Sequence, residues 1–228
     1  MITATVIDLA RPDSGDRSLL VFLPGAFMSA SDYTTHGFLD AVRRRAWPID
    51  IVAVDTDIEH YFDDDLTDHL HSQVISPALA RGVTTVWLAG ISLGGFGALR
   101  YAEAHREIVE GLLLLSPFLG SRGLIAEVAA AGGLGRWVPG TADQAPQHRL
   151  LSWLSAYRPL DRRWPEIRLA YGEDDRFSAA HRLLAEILPR DVVTTTAGGH
   201  DWETWEALWE QILQTAPSVT SKRMKVRR

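Results

Sequence analysis

The feature that most constrains the fold is a series of short apolar runs, each followed by a longer amphipathic or polar stretch. Apolar runs of four to eight residues without polar alternation are typical of parallel strands covered on both faces. The runs at residues 19–23, 49–54, 84–89, 111–115, 167–171 and 191–196 are therefore predicted as strands.

Between these runs, apolar residues recur at helical spacing. Residues 63–81 carry them at Leu66, Leu70, Val74 and Ala78, which predicts a helix with one buried face. Further helices are predicted over residues 93–107, 179–188 and 202–213. Strands alternating with helices predict an α/β fold with a doubly wound, mostly parallel sheet. Residues 1–10 are predicted as an edge strand, antiparallel to its neighbour.

Composition suits a single domain; length alone would also permit two small ones, so the strand and helix pattern decides. The chain has 228 residues, of which 46% are hydrophobic, enough to bury one stable core. We predict an α/β domain over residues 1–217 and a basic, disordered tail over residues 218–228. Residues 118–163 interrupt the alternation with glycine and proline, and are predicted to form a small helical cap or lid. A peripheral insertion without a role in function is the alternative.

Charge and apolar content argue against two classes of partner. The net charge is −6, so the chain lacks the basic surface expected for binding nucleic acid or anionic lipid. No apolar run is long enough to span a bilayer, and the first residues do not read as a signal peptide. We therefore expect a soluble, cytoplasmic protein without a nucleic-acid or membrane partner. The sequence leaves its oligomeric state open.

The strongest chemical motif is G-x-S-x-G at residues 90–94, directly after a predicted strand and directly before a predicted helix. In this context the serine occupies a sharp turn at which bulky neighbours would collide, so glycines flank it. The turn exposes the serine hydroxyl and aims the next backbone N–H, that of Leu93, at the same point. Ser92 is therefore predicted as a nucleophile. The alternative is a glycine-rich turn with an unreactive serine.

A serine nucleophile needs a base and an acid that orients it. His200 follows the last predicted strand, which brings it to the sheet edge where Ser92 lies, and it is predicted as the base. Asp174 and Asp175 both follow the strand at 167–171, and spacing does not separate them as the acid. Asp201 is a weaker candidate because its position suits the start of a helix.

The second oxyanion donor is predicted where the strand at 19–23 ends. Glycine at position 25 lets the backbone approach a substrate, which favours the N–H of Ala26 and then that of Phe27. We expect no metal or organic cofactor. The chain has no cysteine, so a metal site with thiolate ligands is excluded. The histidines near the acidic residues 63–65 are better explained as part of a solvated helix start; they are His60, His69 and His71.

Together these segments resemble the α/β-hydrolase superfamily, and in particular its putative-esterase group, which includes S-formylglutathione hydrolases and feruloyl esterases. The likeness runs through residues 19–27, 90–95, 171–177 and 198–205. It implies that Ser92 is the nucleophile and His200 the base, and it favours Asp175 over Asp174 as the acid. The chain departs from many members in having Pro24-Gly25 where they have His-Gly.

The expected activity is hydrolysis of a small carboxylic ester or thioester through an acyl-enzyme. Transfer of the acyl group to another acceptor, or a catalytically silent binding protein with the same fold, are the alternatives. Four residues are predicted to line the substrate pocket, with packing in the core as the other possibility for each; they are Met28, Phe118, Leu119 and Trp202.

Overall fold

A computed structural model describes residues 3–8, 17–63, 65–140, 145–159 and 161–216. Within these residues, seven strands form one sheet in the order β1-β3-β2-β4-β5-β6-β7. All neighbouring strands are parallel except β1 and β3, which are antiparallel. The strands are β1 (Thr3–Asp8), β2 (Arg17–Leu23), β3 (Ile49–Asp55), β4 (Val83–Ile91), β5 (Val109–Leu115), β6 (Glu166–Gly172) and β7 (Val193–Thr196).

Helices connect the strands along the described chain. In order they are α1 (Ala30–Thr35), α2 (Phe38–Arg44), α3 (Asp65–Leu70), α4 (Ser76–Ala80), α5 (Leu93–Ala104), α6 (Arg122–Ala130), α7 (Pro146–Ser155), α8 (Ser178–Ala185) and α9 (Trp202–Gln214). Short 3₁₀ turns cover Ile58–Phe62 and Arg190–Val192, and a π-helical turn over His71–Ile75 joins α3 to α4.

Both faces of the sheet are covered, as the apolar runs predict. On β2, Leu19, Val21 and Leu23 enter one hydrophobic cluster, whereas Leu20 and Phe22 enter a second on the opposite face. Helices α3 to α8 contribute to the first cluster, and α1, α2 and α9 to the second. The prediction of a doubly wound, mostly parallel α/β fold is confirmed, and so is the antiparallel edge strand, here β1.

Three local features differ from the sequence-based expectation. Helices α1 and α2 were not predicted, because each is only one to two turns long and shows too little periodicity to register. The helix predicted over residues 63–81 contains the π-helical turn, whose extra residue per turn no periodic pattern reveals. Strand β7 begins two residues later than predicted because a 3₁₀ turn follows Pro189.

The insertion at residues 118–163 is helical where it is described, and α6 and α7 are its helices. Helix α7 contacts α5, and α6 contacts α8. Apolar side chains of both helices, such as Leu124 and Leu150, are buried in the same cluster as β2. A lid role for this segment stays a prediction. The basic tail at residues 218–228 lies outside the described residues. Among the helices that are described, none has the length and apolar character needed to cross a bilayer.

Candidate active site

Ser92 lies on a tight turn between β4 and α5. Its backbone has φ 53° and ψ −114°, a combination that L-residues rarely adopt. The turn exists because its neighbours lack side chains: a Cβ on Gly94 would lie 1.9 Å from the carbonyl oxygen of Leu23, and one on Gly90 would lie 2.3 Å from the carbonyl carbon of Gly94. Gly94 is therefore required by the close approach of β2 to this turn, and Gly90 by the close approach of the first turn of α5.

Three side chains from different parts of the sequence meet at this turn. The Ser92 hydroxyl lies 3.0 Å from Nε2 of His200, and Nδ1 of the same ring lies 2.8 Å from Oδ2 of Asp175. A carboxylate only accepts hydrogen bonds, so Nδ1–H donates to Asp175. Nε2 is then left with its lone pair facing the serine hydroxyl, which donates to it. This arrangement allows the imidazole to take a proton from Ser92.

Asp175 is held in its ionised form although it is buried. Burial by itself raises the pKa of a carboxyl group. Hydrogen bonds donated by His200 and by the N–H of Phe177, together with the nearby Ser116 side chain, outweigh burial and bring the pKa of Asp175 below its usual value. Because the carboxylate stays charged, it favours the imidazolium that forms when His200 accepts a proton.

The two other acid candidates have different surroundings. Asp174 is exposed, and its backbone N–H donates to the carbonyl of Gly198. Asp201 is the N-cap of α9: its carboxylate accepts hydrogen bonds from the N–H and the hydroxyl of Thr204, at 3.0 and 2.8 Å. Those hydrogen bonds lower the pKa of Asp201. Of the three carboxylates, Asp175 is the one that hydrogen-bonds to His200.

The segment after β2 lies against Ser92. A Cβ on Gly25 would lie 2.7 Å from Sδ of Met28 and 3.2 Å from the carbonyl oxygen of Ile91, the residue before Ser92, so a side chain at this position would crowd the turn. In the described part of the chain, no hydrogen-bond acceptor is assigned to the backbone N–H of Ala26, Phe27 or Leu93. Unengaged donors beside a serine hydroxyl are what an oxyanion site requires.

Two buried tyrosines hold the segment after β2 in place through hydrogen bonds to its backbone. The Tyr33 hydroxyl donates to the carbonyl of Leu23 at 2.5 Å, and the Tyr61 hydroxyl donates to the carbonyl of Pro24 at 2.7 Å. Burial raises the pKa of both phenols well above the usual value, so they stay protonated and remain donors. Nothing in the sequence pattern singles these tyrosines out, since their role depends on how α1 and the 3₁₀ turn at Ile58–Phe62 pack.

A cavity of about 340 Å³ opens at Ser92. Of the four predicted pocket residues, Met28 and Trp202 line it. Phe118 and Leu119 do not belong to its lining: Leu119 is fully buried in the larger hydrophobic cluster, and Phe118 packs against that cluster beside Phe177. The lining consists of Gly25, Ala26, Phe27, Met28, Ser92, Arg176, His200, Asp201, Trp202 and Trp205.

The lining includes two residues with unusual exposure or charge. Phe27 has φ 62°, and its side chain is 96% exposed, so an aromatic ring stands in solvent at the mouth of the cavity. Arg176, which sequence analysis did not single out, is the cationic side chain of this lining. The sequence signal that could have identified Arg176 is its position directly after the predicted acid, Asp175.

A second histidine is buried behind the Asp175–His200 pair. His181 on α8 is fully buried, and its Nε2 lies 3.0 Å from the carbonyl of Pro117, to which it donates. Burial lowers the pKa of His181 to about 4, although Asp175 acts in the opposite direction. This neutral ring ties α8 to the loop that follows β5, and Phe118 of that loop donates its N–H to the carbonyl of Ser92.

The described residues contain no group of three or more histidine or acidic side chains arranged to hold a metal ion. His60 and His69 lie with their ring centroids 6.0 Å apart, whereas His71 stacks on His105 at 4.5 Å and hydrogen-bonds to Tyr101. Of the three histidines near the acidic helix start, His60 and His69 therefore contact each other, whereas His71 contacts His105.

Several solved structures share this architecture. A ferulic acid esterase superposes with a TM-score of 0.63 at 17% identity, over 90% of this chain and 85% of its own. The fluorophosphonate-binding serine hydrolase FphF of Staphylococcus aureus gives 0.64 at 14% identity, over 92% and 90%. The S-formylglutathione hydrolase FrmB of the same organism gives 0.59 at 15% identity, over 91% and 83%. At these identities, the likeness shows the fold.

The sequence also matches a family model directly. No curated protein sequence matches the chain. The model of the alpha/beta hydrolase family, however, matches residues 20–219, which include every predicted site residue and almost the whole sheet. The resemblance read from residues 90–95 and 198–205 is thereby confirmed. The chain belongs to the alpha/beta hydrolase family.

Proposed function

We propose that this protein is a serine hydrolase that cleaves a small carboxylic ester or thioester through an acyl-enzyme. The observation that carries the proposal is the unbroken hydrogen-bond chain from Ser92 through His200 to Asp175, with distances of 3.0 and 2.8 Å. The names of the structural neighbours, a ferulic acid esterase and an S-formylglutathione hydrolase, support ester or thioester bonds as the substrate class.

In the proposed reaction, the Ser92 hydroxyl oxygen attacks the substrate carbonyl while His200 takes its proton. Asp175 keeps the ring oriented and stabilises the imidazolium. The tetrahedral intermediate then expels the alcohol or thiol, which receives that proton from His200. Water, deprotonated by His200 in turn, attacks the acyl-enzyme, and the acid is released as Ser92 regains its proton. No cofactor is needed for these steps.

The negative charge on the carbonyl oxygen requires donors that are already in place. We assign this role to the N–H of Leu93 together with the N–H of Ala26 or Phe27, because each lies beside Ser92 and lacks an assigned acceptor in the described part of the chain. Removing one such donor typically costs about 2.7–4 kcal/mol of transition-state stabilisation. Tyr33 and Tyr61 support the assignment, since they hold the carbonyls that precede Ala26.

The test is covalent labelling combined with turnover. We expect a fluorophosphonate to label wild-type protein at Ser92, and short p-nitrophenyl esters to be hydrolysed. Ser92→Ala should abolish labelling and lower kcat by on the order of 10⁴-fold or more, because the nucleophile and base act as a unit. Ser152→Ala, in the middle of α7, is the matched control and should keep both. Full esterase activity in Ser92→Ala would refute the proposal.

A further inference from the structure

Arg176 places a positive charge in the wall of the cavity that holds Ser92 and His200. It follows Asp175 in sequence, so its backbone is fixed by the same turn after β6 that positions the acid. The chain as a whole carries a net charge of −6. A cation at this point is therefore a local feature of the site and is not part of a general basic surface.

The contact of this guanidinium in the described chain is aromatic rather than acidic. Among the residues that the structure describes, no carboxylate forms an ion pair with Arg176; Asp175, the residue before it, pairs with His200. Instead, the guanidinium carbon lies 5.0 Å from the centroid of the Phe177 ring. The Phe177 ring in turn meets His200 edge-on at 5.1 Å.

The other charged group of the lining that faces solvent is already engaged. Asp201 accepts hydrogen bonds from the N–H and the hydroxyl of Thr204. It also stands at the N-terminus of α9, where the helix dipole favours a negative charge. A substrate anion that enters the cavity thus meets one carboxylate that already accepts two hydrogen bonds from the protein, and one guanidinium that forms no ion pair within the described residues.

We propose that Arg176 selects substrates that carry a carboxylate in addition to the scissile ester or thioester. This inference rests on the proposed function. Guanidinium groups bind carboxylates through two parallel N–H donors, which gives orientation as well as attraction. Met28, Trp202 and the exposed ring of Phe27 supply apolar surface in the same cavity. The substrate class is therefore a small ester or thioester with an apolar, often aromatic, body and one negative charge.

The experiment compares pairs of esters that differ only in that charge. Monomethyl terephthalate and its amide, methyl 4-carbamoylbenzoate, place the charge on the acyl side. The second pair, 4-acetoxybenzoate and 4-acetoxybenzamide, places it on the leaving group. For at least one pair, we expect wild-type kcat/KM to be roughly tenfold or more higher for the anionic ester, as expected for one charge-assisted contact at an exposed side chain. The preference should shrink at high salt.

Arg176→Gln should bring that ratio to about one. The ratio is measured within each variant, so a general effect of the substitution on catalysis cancels. Arg176→Lys should retain part of the preference because the charge remains. Arg182→Gln removes the same charge from the exposed face of α8, outside the cavity lining, and should leave the ratio unchanged.

The outcomes separate this inference from the proposed function. If wild-type protein is labelled by the fluorophosphonate and hydrolyses the neutral esters, but the ratio is the same in Arg176→Gln for both pairs, the role of Arg176 is overturned and the hydrolase stands. A ratio that falls equally in Arg182→Gln overturns it too, since net charge would then be the cause. If there is neither labelling nor turnover, both proposals fall together.

Discussion

At the scale of single residues, Ser92, the proposed nucleophile, has an unfavourable backbone conformation. The residue is held at φ 53° by the close packing of β2 against Gly94 and of the first turn of α5 against Gly90, and a residue held in such a conformation costs of order 1–3 kcal/mol. The cost is offset by the many contacts of the sheet around the turn. It follows that Ser92 keeps a side chain at a position where a residue without one would be less strained.

Replacing Ser92 by glycine and by alanine separates the backbone from the hydroxyl. Both variants lack the hydroxyl of the proposed nucleophile, but only glycine relieves the strained conformation. We expect Ser92→Gly to be more stable than Ser92→Ala by about 1 kcal/mol or more in urea unfolding. The same pair at Ser152, in the middle of α7, should reverse the order, because glycine is the poorer helix former by about 1 kcal/mol. If Ser92→Gly were less stable than Ser92→Ala, the inference that the backbone at position 92 is strained would be wrong.

The site residues that could be predicted from the sequence were those marked by their position directly after a predicted strand. The flanking glycines identified Ser92, and the strands before Asp175 and His200 placed those residues at the same sheet edge. The roles of Tyr33 and Tyr61 were out of reach, because each is defined by a hydrogen bond between two different segments of the chain. No local pattern of charge or hydrophobicity encodes such contacts.

At the scale of elements, the segment after β2 is positioned by its carbonyls. The hydroxyl of Tyr61 donates to Pro24 from the 3₁₀ turn, and that of Tyr33 donates to Leu23 from α1. Both bonds are buried, so neither carbonyl has water as a replacement partner. The precision of the proposed oxyanion donors thus depends on two elements that do not themselves reach the cavity.

Tyr61→Phe tests that dependence. Loss of the hydroxyl leaves the Pro24 carbonyl buried without its donor, which should lower the free energy of unfolding by about 1–2 kcal/mol. We also expect kcat to fall by roughly tenfold, because the donors at Ala26 and Phe27 lose their fixed position. Thermal unfolding and p-nitrophenyl ester kinetics measure the two effects.

The matched control for this prediction is Tyr157→Phe. The Tyr157 hydroxyl donates to the carbonyl of Pro165 at 2.9 Å in another buried tyrosine–proline pair, away from the cavity lining. It should lose similar stability and keep kcat. If the two variants lower kcat equally, the effect at Tyr61 is only one of general stability.

Element boundaries were predicted well where the packing is regular. The six predicted parallel strands all exist, because a strand buried on both faces needs an apolar run and the sequence supplies one. Helices α1 and α2 were missed since they are only six and seven residues long, too short for a helical period to show in the sequence. The insertion was recognised by its glycines and prolines, but its packing against α5 and α8 follows from surfaces that only the folded chain presents.

At the scale of the whole molecule, the buried ring of His181 couples stability to pH. Burial holds its pKa at about 4, against 6.5 for an ordinary histidine. Between these values the unfolded chain binds a proton that the folded one does not, so the free energy of unfolding falls as the pH falls. Asp175, His200 and Tyr171 are the titratable groups around this ring.

We expect the stability of wild-type protein to decrease by up to about 3 kcal/mol between pH 6.5 and pH 4 on account of His181, because each pH step of one between the two pKa values changes the free energy by about 1.4 kcal/mol. His181→Gln keeps an N–H donor for Pro117 but does not titrate, so urea unfolding at several pH values should show a shallower slope. The lowered pKa of Asp175 acts in the same direction but below its ordinary value of 3.8, outside this window. An unchanged slope would contradict the prediction.

The close contact at Gly94 has a consequence for how the effects of natural variants of this protein are interpreted. A methyl group there would lie 1.9 Å from the Leu23 carbonyl oxygen and would have to push β2 away from the start of α5. A variant at Gly94 should therefore lower the amount of folded protein that a cell accumulates. A variant at Ser92, the proposed nucleophile two residues away, should instead leave that amount largely unchanged. Protein abundance measured beside turnover would thus distinguish a defect of folding from a defect of chemistry.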